Sequence, residues 1–199
     1  MKKILFSALF IFFLAVPLTV SAADKYTVQR GDSMWKIAQR YQIGLSEIIQ
    51  ANPHISNPNL IYPGQVLNIP NIDTTKSIEQ QVIDLTNQQR AKNGLSPLKG
   101  DWELSRVARY KSQDMHDRRY FDHTSPTYGS PFTMMKNFGI SYRSAAENIA
   151  RGQRSAQEVV NAWMNSAGHR KNILTPNFTH IGVGYVADGN YWTQMFIQK

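Results

Sequence analysis

Residues Asn161 to Leu174 read NAWMNSAGHRKNIL. One histidine, His169, follows a glycine, with Ala162 and Trp163 ahead of it and Ile173 and Leu174 behind. Three roles are open to such an imidazole: a core hydrogen bond, a metal ligand or a catalytic base. The preceding SAQEVVNAWMNS predicts a helix capped by Ser155, with Val159, Val160 and Trp163 turned inward. On this reading a single helix delivers His169.

Working outward from it, residues 77–199 form a second region, long enough for one core. SIEQQVIDLTNQQRAKNG predicts a helix with Ile78, Val82, Leu85 and Ala91 on one stripe, stopped at Asn93-Gly94. LSPL is an extended connector. Asp101 caps WELSRVARYKSQDMHDRR, where Leu104, Val107, Ala108, Lys111 and Met115 share a face. YFDHTSPTYGS is a loop carrying His123, and PFTMMKNFG is a short helix opened by Pro131. ISYRSAAENIA reads as extended or irregular. HIGVGYVA and YWTQMFIQ, joined through Asp188-Gly189-Asn190, predict a hairpin. Helices followed by late strands predict a layered domain.

YKSQDMHDRRYFDHTSP, AENIA, VVNAWMNSAGHRKNIL and NFTHIGVGYV, in that order, resemble the bacterial branch of the CAP superfamily. The resemblance implies a three-layer α-β-α sandwich with a central groove. Many members line that groove with two His and two Glu, and some hold a divalent metal through the His pair. His123, Glu147 and His169 match the first His, the first Glu and the second His. The second Glu falls on Ser166, so the tetrad is incomplete, and Ala146 stands where a Gly is frequent. The resemblance thus implies His123 and His169 as the residues that would hold a divalent metal such as Zn2+, the one cofactor it suggests. Glu147 would orient a His or act as base on a bound water. His123, Glu147 and His169 are 24 and 22 residues apart, so no local metal motif brings them together. A purely structural network of buried hydrogen bonds is the competing reading. His180 reads as a strand-edge residue, while His54 and His116 suggest no role.

Tyr26 to Pro70 differ in texture. YTVQ alternates like a strand, Asp32 or Ser33 caps a helix over MWKIAQRY, and Ser46 caps a second over EIIQAN. NPHISNPNLIYPGQ is loop, and VLNIP closes as a strand. The opening V..GDS.W.IA..Y and the ending N.......L..PGQ.L.IP closely resemble a LysM domain over residues 25–70, a βααβ module. LysM modules bind N-acetylglucosamine-containing glycans in a groove between two loops, here Gly31 to Met34 and Asn57 to Gln65. Gly31 and Gly64 would admit a sugar to the backbone. Asp32, Ser33 and Asn59 would supply hydrogen bonds, and Met34, Ile61 and Tyr62 apolar contact. Trp35 is expected in the core. NIDTTKS, residues 71–77, reads as a short linker before the CAP-like domain at 78–199. The fold class expected is α+β.

The start of the chain has the form of a secretory signal, residues 1–22: Lys2 and Lys3, an apolar run, then Val20-Ser21-Ala22. The chain lacks Cys, so neither disulfides nor lipoprotein attachment is available. Its net charge of +8 falls to +6 without Lys2 and Lys3, and suits an anionic wall. The basic residues are scattered and no nucleic-acid module appears, so neither nucleic acid nor, after cleavage, a membrane is an expected partner. These features predict an exported protein retained at a peptidoglycan wall or spore envelope, with a CAP groove that binds rather than cleaves. The alternative is a metal-assisted hydrolase of wall peptide or protein, with Glu147 as base.

Overall fold

The computed structural model describes residues 24–199; the expected signal peptide, 1–22, lies outside the described residues. In chain order the elements are β1 (Asp24–Thr27), α1 (Met34–Tyr41), α2 (Leu45–Gln50), β2 (Val66–Ile69) and α3 (Asp73–Lys92). Then follow β3 (Lys99–Gly100), α4 (Trp102–Asp117), α5 (Pro131–Asn137), β4 (Ser144–Arg151), α6 (Ala156–Asn165), α7 (Ala167–Ile173), β5 (His180–Val186) and β6 (Tyr191–Gln198).

The N-terminal module pairs β1 antiparallel to β2, with Asp24 opposite Ile69. Ser33 caps α1 by accepting from the Lys36 amide. Met34, Ile37, Ala38, Ile48, Leu67 and Ile69 fill the core between helices and sheet. Asn52 bridges them: its side chain donates to Ile48 and Asn68 carbonyls and accepts from the Asn68 amide. Two expectations change here. Gly44, not Ser46, stands at the cap of α2, and Ser46 instead donates to Glu47 Oε2. Trp35 is 39% exposed, because α1 turns its neighbours Met34, Ile37 and Ala38 inward and sends Trp35 toward α4.

The expected linker is largely helix. Asp73 already begins α3, so of residues 71–77 only Asn71 and Ile72 precede it. A solvated first turn is as polar as a loop, which is why the pattern misleads. Two hydrogen bonds among the described residues then join module and domain: Lys76 Nζ donates to the Tyr41 carbonyl at 2.8 Å, and Tyr110 Oη donates to Glu47 Oε2 at 2.7 Å.

In the C-terminal domain the sheet order is β3-β5-β6-β4, with β3 parallel to β5 and the other pairs antiparallel. The connector after LSPL thus joins the sheet edge. Helices α4 and α5 cover one face, around Leu104, Val107, Met134 and Met195. Helices α3, α6 and α7 cover the other, around Val82, Val159, Trp163, Ile173 and Phe196. This is a three-layer α-β-α arrangement. β6 is buried from Tyr191 to Ile197 because both its faces are covered and both its edges are paired. Gly182 and Gly184 let the backbone of α4 lie directly on β5: a Cβ at either would meet helix backbone at 2.4 or 2.1 Å.

The stretch from Ser155 to Leu174 is two helices. Ser166 adopts an extended conformation (φ −99°, ψ 122°), ending α6 and starting α7. The break turns α7 across β4, so that His169 and Asn172 approach the strand.

Candidate functional site

β4 is an edge strand of the sheet, opposite β3, and alternation sorts its side chains. Ala145 and Ile149 pack on the α4–α5 side, while Ala146 and Ala150 join the core under α3 and α6. Glu147 therefore faces one layer and Asn148 the other. The edge carbonyls would be orphaned, but α6 and α7 cover them: Trp163 Nε1 donates to Ile149 O, and Asn172 Nδ2 to Glu147 O. This edge is where the candidate residues meet.

Glu147 Oε1 accepts from His123 Nδ1 at 2.7 Å. The carboxylate is 1% exposed and the imidazole 51%. Burial pushes the Glu147 carboxyl up, opposed by the hydrogen bond from His123 and the nearby Lys111 charge. The hydrogen bond to Glu147 raises His123. The two directions favour opposite forms, neutral acid and imidazolium. In either form one proton is shared between Nδ1 and Oε1, so Nδ1 is committed to Glu147 while the half-exposed ring keeps Nε2 without a protein hydrogen bond. Glu147 Oε2 is buried without a hydrogen-bond partner.

The loop that carries His123 is held from beneath by α4. Lys111, fully buried, donates to the carbonyls of Asp122 and His123 at 2.8 Å each and to Tyr120 Oη at 3.2 Å. Asp114 accepts from Tyr120, Ser125 and Thr127 hydroxyls. Sequence reasoning placed Lys111 on the apolar face without a role. A lysine in such a stripe was the signal that something polar lies beneath the helix.

His169 enters from α7. Asn148 fixes it through the backbone: its Nδ2 donates to the His169 carbonyl at 3.2 Å and to Gln194 Oε1 at 3.0 Å, and its Oδ1 accepts from Asn172. Gln194 continues the chain to Thr86. Burial lowers His169, and the charge of His123 adds to it, so the two rings lie within electrostatic reach of each other. The cleft of about 450 Å3 beside them is lined by His123, Thr124, Phe132, Glu147 and Asn172 among others; His169 and Ser166 do not line it. Ser166 occupies the α6–α7 junction, and its side chain makes no capping bond there.

The residues present fit a metal only narrowly. Among the described residues no three His, Cys, Asp or Glu converge. The donors are two imidazoles, of which His123 is already oriented by a carboxylate, the usual outer partner of a ligating His. Glu147 itself is too enclosed to act on solvent without movement of its surroundings. His180 lies at the start of β5 beside Thr179, and His116 bonds Asp117 and Asp188.

In the N-terminal module, Gly31 (φ +87°) and Gly64 (φ +89°) have open space where a Cβ would stand. The second loop exposes Leu60 and Tyr62, the latter 55%, with Asn59 alongside. Ile61 packs partly against the core. The first loop is less available than expected. Met34 is a core residue, because it begins α1 on the helix's inner face. Asp32 accepts from Tyr26 Oη and the Gln29 amide, and Ser33 is engaged in the cap.

A family model of the LysM domain matches residues 26–70, and the model of CAP, the cysteine-rich secretory protein family, matches residues 83–198. The chain belongs to the cysteine-rich secretory protein family. Its CAP domain is 65% identical over 126 residues to YkwD of Bacillus subtilis, 63% of this chain and 49% of that protein. The LysM segment is 44% identical over 45 residues to SpoIVD-associated factor A of Bacillus subtilis, 23% of this chain and 12% of that one. A crystal structure of an extracellular protein with an SCP domain from Bacillus anthracis superposes with a TM-score of 0.60 at 38% identity. It covers 69% of this chain and 47% of its own. The chain thus spans about half or less of the length of each of these relatives. Among its described residues no helix is long and apolar enough to cross a membrane.

Proposed function

We propose that the protein is exported and held at the cell wall or spore envelope by its LysM domain, which binds N-acetylglucosamine-containing glycan such as peptidoglycan. The CAP domain then presents a binding groove to a partner or small ligand. The observation that carries the first part is the open LysM surface: two glycine loops with nothing over them and an exposed Tyr62 beside Asn59. A sugar needs such an accessible backbone with an apolar platform. Supporting the second part, Glu147 is enclosed and already committed to His123, which suits a positioned imidazole better than a general base. A divalent metal such as Zn2+ would rest on His123 Nε2 and His169, leaving its other positions to water or ligand.

The test is sedimentation with insoluble peptidoglycan. The protein from Ala23 onward should co-sediment, Tyr62→Ala should lower the bound fraction several-fold, and His123→Ala should not change it. If Tyr62→Ala and Asn59→Ala both bind as well as the unaltered protein, the LysM groove is not the wall-binding surface.

A further inference from the structure

Between the two domains lies a cleft of about 400 Å3, lined by Trp35 of α1 and by Arg106, Asn137, Phe138 and Gly139 of the CAP domain. Its cation is unusual. Arg106 is only 7% exposed, yet no carboxylate among the described residues forms an ion pair with it, and its buried Nε has no hydrogen-bond partner. Glu47 of the module is engaged by Tyr110 and Ser46 instead. What holds Arg106 in place is a pair of aromatic faces: its guanidinium carbon sits 5.5 Å from the Trp35 ring centroid and 5.6 Å from that of Phe138. Aromatic faces orient a guanidinium and leave its in-plane donors unsatisfied. An enclosed cation with unused donors favours an incoming anion, and a half-exposed indole beside it favours a sugar face.

We infer that this cleft is a second subsite for the wall polymer, in which Trp35 packs against a sugar and Arg106 takes a carboxylate of the attached stem peptide. The inference rests on the proposed glycan binding by the LysM domain. Trp35 directly follows the Gly31–Met34 loop in sequence, so the cleft adjoins one wall of the proposed glycan groove. Neither domain makes the site alone: the indole comes from one and the cation from the other. The site would therefore read peptidoglycan as distinct from a polymer of N-acetylglucosamine alone, which carries no carboxylate.

Calorimetric titration of the protein from Ala23 onward with a muropeptide tetrasaccharide and with chitotetraose tests this. The unaltered protein should bind the muropeptide more tightly. Arg106→Gln should weaken muropeptide binding about tenfold, the loss of one charge-assisted hydrogen bond, and leave chitotetraose unchanged. Asn137→Asp, at an exposed position on the cleft, should do the same by repulsion without disturbing the fold. A fully amidated muropeptide should bind Arg106→Gln and the unaltered protein equally, and glycerol phosphate should not compete. Equal muropeptide affinity in all three proteins overturns the subsite, as does competition by glycerol phosphate. Failure of the unaltered protein to bind either sugar removes the LysM reading beneath it.

Discussion

Substituting Gly184→Ala tests how α4 meets the sheet. The added Cβ would stand 2.1 Å from the Ala108 carbonyl carbon and the Arg109 amide nitrogen, both backbone atoms that no rotamer change can move. Ordinary contact begins near 3.4 Å, so helix and strand must part by roughly 1.3 Å. A radial gap approaching 1 Å already forfeits up to about half of the dispersion attraction across an interface. The interface concerned holds Leu104, Val107 and Ala108, each fully buried. It also holds two buried hydrogen bonds: Ser112 Oγ donates to Gly184 O, and the Val183 amide donates to Ser105 Oγ. Overpacking costs about 1–3 kcal/mol where side chains can yield, and each lost hydrogen bond about 1 kcal/mol more. The expected loss is about 4 kcal/mol, a large part of a typical domain's stability. Urea unfolding followed by the fluorescence of the buried Trp163 and Trp192 should show the midpoint falling by roughly 2 M. Gly100→Ala is the control: its Cβ would meet only Ile83 at 3.6 Å, and it should stay near the parent. Were Gly184→Ala within 1 kcal/mol (~) of the parent, the close approach of helix to sheet would be wrong.

Two further outcomes follow from buried charges. Burial pushes Glu79 up to about 7 despite its ion pair with Arg109, so the folded state holds this proton more tightly than the unfolded chain. Ionising it costs folding free energy, so its contribution to stability is lost as pH rises from about 4.5 through about 7, a difference of about 3 kcal/mol at most. The gap in unfolding free energy between the parent and Glu79→Gln, measured across that range, should shift by that much in favour of the variant; a flat difference would refute it. Arg90, fully buried, donates to the carbonyls of Ser96, Ile173 and Thr175 and so ties α3 to the end of α7. Arg90→Met should cost about 3 kcal/mol or more in thermal unfolding and speed hydrogen exchange in α7, and unchanged exchange there would show that Arg90 does not anchor it.

The local patterns were legible because they are set by neighbours along the chain. Ser33, Asp101 and Ser155 cap their helices as their sequence contexts predict. The hairpin turn at Asp188-Gly189-Asn190 forms, with Gly189 and Asn190 both at positive φ. The pairing of His123 with Glu147 was implied by resemblance alone, since 24 residues separate them and no periodicity joins them. The break at Ser166 was not legible, because an apolar pattern on both sides of it continues in helical phase.

By itself, then, the sequence determined a LysM module followed by a CAP domain and most of their helices and strands, for these depend on capping, periodicity and short motifs. Only the tertiary structure decided what the side chains can do. Enclosure by the edge of β4 and by the loop over Lys111 commits Glu147 to His123. Trp35 leaves the core because the docking of two domains offers it Arg106, a contact between residues 71 positions apart that no local pattern encodes. The free energy of burying a charge or exposing an indole is set by what lies across the interface, and that partner comes from elsewhere in the chain.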